Sequence, residues 1–196
     1  MPPSRRNDLV DAAMRVFYRH GFNNTSLDQV LDEGGISRMT LYNHFKSKDE
    51  LIVAALRLQD ERSEQELMNY LQKIDGGPIE RIMGIFDFCR EWFLDDEFCG
   101  CMFINASAEF DDPACVVRCV SAEHKRTMVN LMRKQCEQAG LRDPHVLAEK
   151  LCILLDGAVV TAHVVGKVDN NETRLEEAAE WAKDAARVLI DASKVA

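Results

Sequence analysis

Two short helical patterns joined by paired glycines constrain this chain more than any other stretch. They occupy residues 25–45, which read TSLDQVLDEGGISRMTLYNHF. Thr25 or Ser26 can open the first pattern, because either hydroxyl can accept from an orphan first-turn amide. Leu27, Val30 and Leu31 then recur at helical spacing. Gly34-Gly35 supplies a left-handed exit. Ile36 reads as an apolar plug between the helices, and Ser37 as the cap of a second helix carrying Arg38 to Phe45. Leu41 and Phe45 give that helix an apolar face. Arg38, Thr40, Tyr42, Asn43 and His44 point elsewhere, and all can donate to phosphates or base edges. This is the pattern of a helix-turn-helix whose second helix enters the DNA major groove.

The flanks extend it. Residues 5–20 read as an amphipathic helix with Leu9, Ala13, Val16 and Phe17 on one stripe, stopped near Gly21. Ser47 and Glu50 have capping-box spacing ahead of Leu51, Ile52 and Ala55, so a long helix is expected from Lys48 through Ile74. Lys46 and Lys48 fall where a phosphate contact would fix register.

The run GFNNTSLDQVLDEGGISRMTLYNHFKSKDEL closely resembles the DNA-binding segment of the tetracycline-repressor (TetR) family. Gly21-Phe22, Thr25-Ser26, Gly35-Ile36-Ser37, Thr40-Leu41-Tyr42, His44-Phe45 and Ser47–Leu51 carry the resemblance, which is specific over about residues 8–55. Gly34 departs from the alanine usual there, and Met39 from a small residue. The resemblance implies DNA contacts from Thr25, Ser26, Ser37, Arg38, Met39, Thr40, Tyr42, Asn43, His44, Lys46 and Lys48. It also implies a dimer on a near-palindromic operator, released by a small molecule held in the helical body.

The net charge of −9 at first opposes a nucleic-acid partner. Residues 1–56, however, hold seven Lys/Arg and seven Asp/Glu, so the whole excess lies beyond them. An acidic body with a locally basic reading edge is compatible with DNA binding. An architectural DNA-coating protein would be basic throughout. No nucleophile–base constellation or phosphate loop is visible, so neither enzymatic turnover nor a cofactor is expected. No apolar run is long enough to span a membrane. Met1-Pro2-Pro3-Ser4 leads straight into the first helix, and a cytoplasmic location is expected. Seven cysteines without zinc-ribbon spacing read mostly as core fillers.

Beyond residue 48 every segment reads as helix. Gly76-Gly77 and Pro78 separate the long helix from one running to about Leu94. A short helix follows over Cys101–Phe110. Asp112-Pro113 opens another to Ala139, Asp143-Pro144 one to about Val168, and the Thr173-x-x-Glu176 box the last. The expected fold is all-α with about nine helices. A helix-turn-helix domain (1–47) joins a ligand-binding and dimerisation domain (48–196). The last two helices, about 145–168 and 173–193, are the expected dimer surface: one is apolar on most sides, the other alanine-rich.

Candidate effector-binding residues are Phe86, Cys89, Trp92 and Phe93 on one helix and Phe103 on the short one. His124, Met128, Cys152, Asp156 and His163 come from the later helices. Polar groups on an apolar helix need partners; a ligand is one, and neighbouring helices are another. No third group completes a metal site with Asp156 and His163. Cys101, Asn105 and Glu109 belong to a pattern found in a subset of the resembled family. Cys101 near a helix start is a candidate oxidant- or electrophile-sensing thiol, opposed by the acidic Asp95-Asp96-Glu97 nearby.

Overall fold

The computed structural model describes residues 5–165 and 172–195, with 172–174 as backbone only. Its described residues form nine α-helices and no strand. They are α1 (Arg5–His20), α2 (Leu27–Gly34), α3 (Arg38–His44), α4 (Lys48–Leu71), α5 (Pro78–Phe93), α6 (Met102–Glu109), α7 (Val116–Gln138), α8 (Pro144–Val165) and α9 (Glu172–Ala192). None is long and apolar enough to cross a membrane.

Local signals set most boundaries. Ser26 and Gln29 form a complete capping box at α2, and Ser37 Oγ accepts the Thr40 amide at α3. The Ser47–Glu50 pair differs from a standard box. Ser47 Oγ accepts the Glu50 amide, but Glu50 Oε2 accepts the amide of Lys46, one residue upstream of the cap. Two helix boundaries differ from expectation. The long helix stops at Leu71, and Ile74 lies off it, packed over Gly84: a Cβ there would sit 2.0 Å from Ile74 Cδ1. Asp112-Pro113 forms a turn rather than a helix start. Asp112 accepts the Ala114 amide with its side chain and the Cys115 amide with its carbonyl, delaying α7 to Val116. The Thr173 side chain and residues 166–171, including the expected helix end near Val168, lie outside the described residues.

The chain forms two compact units. One comprises residues up to 64 together with 102–124; the other comprises 65–101 and the chain from 125 onward. In the first, α1 packs on α2 and α3 around Leu9, Ala12, Phe17, Leu31, Ile36 and Leu41, all buried. In the second, α9 packs on α5 and α8, burying Ala178, Ala179, Ala182 and Ala186 on one stripe. The small side chains permit that close approach.

Gly35 turns the chain from α2 toward α3 at φ +59°, and the Ile36 amide returns to the Leu31 carbonyl at 2.9 Å. At position 34 the constraint is steric. A Cβ would lie 2.8 Å from Ile36 Cδ1 and 3.1 Å from Ala12 Cβ. The δ-methyl of Ile36 thus occupies space an alanine would need. We expect Gly34→Ala to destabilise by about 1 kcal/mol, overpacking outweighing the gain in helix propensity. Adding Ile36→Val should recover that loss. Urea titration of the four-member cycle measures the coupling, and additive effects would refute the shared-volume explanation.

Candidate nucleic-acid interface and effector cluster

Helix α3 is positioned by its buried side. Leu41 and Phe45 are buried, while Met39, Tyr42, Asn43 and His44 are exposed. Met39 is 74% exposed, which leaves its apolar side chain on the outer face. Arg38 is exposed and ion-paired to Asp28 at 2.6 Å. A surface pair of this kind is worth at most about 1 kcal/mol, so a phosphate or base could compete for the guanidinium. Thr40 Oγ1 lies 3.0 Å from Ser37 Oγ, inside the cap. Lys46 is exposed. Lys48 Nζ donates to the Asn23 carbonyl at 3.3 Å. Thr25 occupies a different environment from the other candidates. It is 1% exposed and its hydroxyl donates to the Gly21 carbonyl at 2.7 Å, bracing the loop before α2. Ser26, not Thr25, caps that helix.

The candidate effector residues divide between the two units. Phe103, Asn105, Glu109 and His124 belong to the first. There the Phe103 and His124 rings stack with centroids 3.7 Å apart, and His124 Nδ1 lies 2.6 Å from Asp60 Oδ1. Glu109 is committed elsewhere: its carboxylate accepts the amides of Phe22 and Asn23.

The remaining candidates lie in the second unit and form two groups. The Lys125 ammonium is hydrogen-bonded to Asp156 and lies within electrostatic reach of Cys89, Cys101 and Cys152. Burial alone lowers the Lys125 ammonium. The influence of Cys101, Asp156 and Cys152 outweighs burial and raises it. Burial pushes the thiols of Cys89 and Cys152 up to about 12 and that of Cys136 to about 11. His163 belongs to an aromatic group instead. Phe98 lies 6.3 Å from its ring, 5.0 Å from Trp92 and 5.2 Å from Phe93, all between centroids. Phe86 is buried in the core and Met128 half-buried on α7. Sequence reasoning missed Phe98 and Lys125. Phe98 follows an acidic turn, where helical periodicity gives no information, and a lone lysine on α7 carries no pattern. No cluster of three or more metal-ligating side chains occurs among the described residues.

Residues 9–55 match the model of the bacterial regulatory proteins of the tetR family. That segment is of the tetR type. It is 32% identical over 87 residues to the transcriptional repressor KstR2 of Mycolicibacterium smegmatis, a match covering 43% of this chain but only 41% of that protein. The regulator BetI of Brucella suis is 26% identical over 168 residues, covering 85% of this chain and 83% of BetI. A TetR-family regulator from Streptomyces coelicolor, SCO4454, shares the fold: TM-score 0.87 at 24% identity, covering 98% of this chain and 91% of that one. The tetR-type match falls on α1–α3 and the start of α4, the segment whose exposed face is described above.

The cysteine environments give a measurable consequence. Cys89, Cys101, Cys136 and Cys152 are buried, whereas Cys99 and Cys115 are intermediate and Cys119 is exposed. A thiol reagent should titrate those last three in the native protein and reach the rest only on unfolding. The three raised thiols also set a pH dependence. A thiol that ionises later in the folded chain than its ordinary value of 9 contributes stability that is complete below pH 9. That contribution falls as pH rises from 9 toward 12. The urea midpoint should decline over this window, and less steeply in Cys152→Ala. An identical slope in that variant would exclude Cys152 as a contributor.

Proposed function

We propose that this protein is a sequence-specific, DNA-binding transcriptional regulator that acts as a homodimer and leaves its operator when a small molecule binds the helical body. On this reading residues 1–47 read the DNA, and 48–196 bind the effector and the second subunit. The observation that carries the reading is α3. It is capped at Ser37, buried along Leu41 and Phe45, and open along Met39, Tyr42, Asn43 and His44. Repression is the sign we carry. Among the relatives, KstR2 is a repressor and FasR of Mycolicibacterium smegmatis an activator. A tetR-type regulator has no turnover, so DNA and effector binding constitute the whole activity.

Dimerisation draws support from an apolar stripe left exposed on two adjoining helices. Val146, Ile153, Val160 and Val164 lie along α8, and Trp181 and Val188 along α9. Steps of seven and four keep each set on one face. Contiguous apolar surface of this kind marks an association site. Paired α8–α9 hairpins would make a four-helix bundle and set two α3 helices on successive major grooves, about 34–36 Å apart.

The Lys125 group of Cys89, Cys101, Cys152 and Asp156 supports an effector with an apolar body and one polar group. It favours this over oxidant sensing, because Cys101 is only 8% exposed.

In vitro selection of bound DNA tests the reading. A short near-palindromic footprint is expected; extended coverage would point to an architectural role. Tyr42→Ala should weaken operator binding by about 1–3 kcal/mol with the fold intact. Ile153→Glu should yield monomers by light scattering and lose operator affinity at the same time. Monomers that still protected both half-sites would remove the dimer from the mechanism.

A further inference from the structure

Within the first unit, helices α1 and α4 border a groove of about 410 Å³. Helical spacing builds it. Arg6 and Val10 stand one turn apart on α1. Ala54, Arg57, Leu58, Glu61 and Arg62 follow the three- and four-residue steps of one face of α4. Val10 is buried, and Ala54 and Leu58 are half-buried, so the inner wall is apolar. The charged side chains are exposed and edge it.

The three guanidiniums differ in what holds them. Arg62 is committed: it pairs with Asp11 at 2.6 Å and donates to Met14 Sδ at 3.8 Å, tying α4 to α1. Arg57 reaches Glu123 only at 3.6 Å, longer than a charge-assisted hydrogen bond, and both side chains are more than half exposed. Arg6 has no carboxylate partner among the described residues. Its guanidinium carbon lies 5.2 Å from the centroid of the Phe45 ring, a weak hold at an exposed site. Glu61 forms no ion pair among the described residues either. Arg6 on one wall and Arg57 on the other, set against Glu61, leave the available groups one positive charge in excess (two guanidiniums, one carboxylate).

We infer that this groove is a binding site for a small carboxylate with a short hydrocarbon body. The carboxylate accepts from Arg6 and Arg57, whose planar donors match its geometry, and the hydrocarbon lies against Val10, Ala54 and Leu58. An excess of one positive charge suits a monoanion. A phosphodiester chain suits the groove less. Its walls are apolar, and Arg57 stands nine residues along α4 from Lys48, about 14 Å beyond the edge expected to meet DNA. The volume is near the lower end of small-molecule sites, about 300–1,000 Å³, which limits the body to a short chain. The Lys125 group belongs to the other unit, so this site is separate from it and does not rest on the regulator reading.

Hexanoate is the probe. Isotope-labelled full-length protein is titrated with it, and the backbone amide shifts are followed by NMR. Amides of residues 6–10 and 54–62 should move together and saturate with a Kd of about 1 mM. Acetate, which lacks the body, and hexanol, which lacks the charge, should each bind about tenfold more weakly. Arg6→Ala and Arg57→Ala should each weaken hexanoate about fivefold with unchanged circular dichroism, and Glu61→Gln should strengthen it about threefold. Hexanoate shifts confined to residues 65–101 and 125 onward would overturn the inference, as would wild-type affinity in both arginine variants. Inorganic phosphate binding as tightly as hexanoate would reduce the groove to a bare anion site and overturn it too. A short DNA duplex that moves these amides while hexanoate does not would give the groove to nucleic acid instead. The wild-type titration maps the contact directly, so it decides even where a variant fails to fold.

Discussion

Helix α3 is seven residues long, and a helix of that length does not persist alone in water. Everything the first unit presents to a partner depends on how that helix is held. Four local devices hold it. Ser37 caps its first turn, the left-handed Gly35 aims it, Ile36 fills the angle between it and α2, and Leu41 with Phe45 buries its inner face. No device acts on the outer face, which leaves four consecutive-turn side chains free of structural duty. The division of labour is physical: burial fixes the backbone, and exposure leaves recognition to the partner.

Charge follows the same division. Residues 1–56 balance, and the −9 belongs to the rest of the chain. On the proposed reading, an acidic body would repel a polyanion, so non-specific affinity would be lower than that of a basic protein and selectivity would fall to the few groups on α3 and beside it. Arg38, held by Asp28, fits that economy. Its charge is masked until a better acceptor displaces a weak surface pair.

What the sequence reveals and conceals follows the range of the interaction. Caps and turns act within four residues, so Ser26, Ser37 and Gly35 announce themselves, and the all-α architecture follows from such signals along the chain. Errors arise where a local signal meets a competing contact. Ile74 continues the helical period but leaves the helix to cover Gly84, and Asp112-Pro113 resembles a helix start but closes a turn on itself. Site residues fare worse, because their meaning lies in distant partners. Glu109 looks like a pocket carboxylate until Phe22 and Asn23 are seen against it, and nothing near Lys125 in sequence foretells Cys89 or Asp156. The one available hint for Glu109 was its sign, a negative charge at a helix C-terminus.

The two departures from the tetR pattern, Gly34 and Met39, differ in where their compensation lies. The volume missing at Gly34 is filled within the protein, by the δ-methyl of Ile36 against Ala12. That departure is a packing exchange and leaves the outer surface of α3 unchanged. Met39 adds an apolar side chain to the first turn of the reading helix and leaves it three-quarters exposed. A bulky apolar group kept in water at that position costs solvation that nothing inside the molecule repays. On the proposed reading its complement lies in the groove, among the apolar edges that bases present there. Operator preference in this chain should therefore diverge from that of relatives with a small residue at this position, even though the scaffold holding α3 is the same.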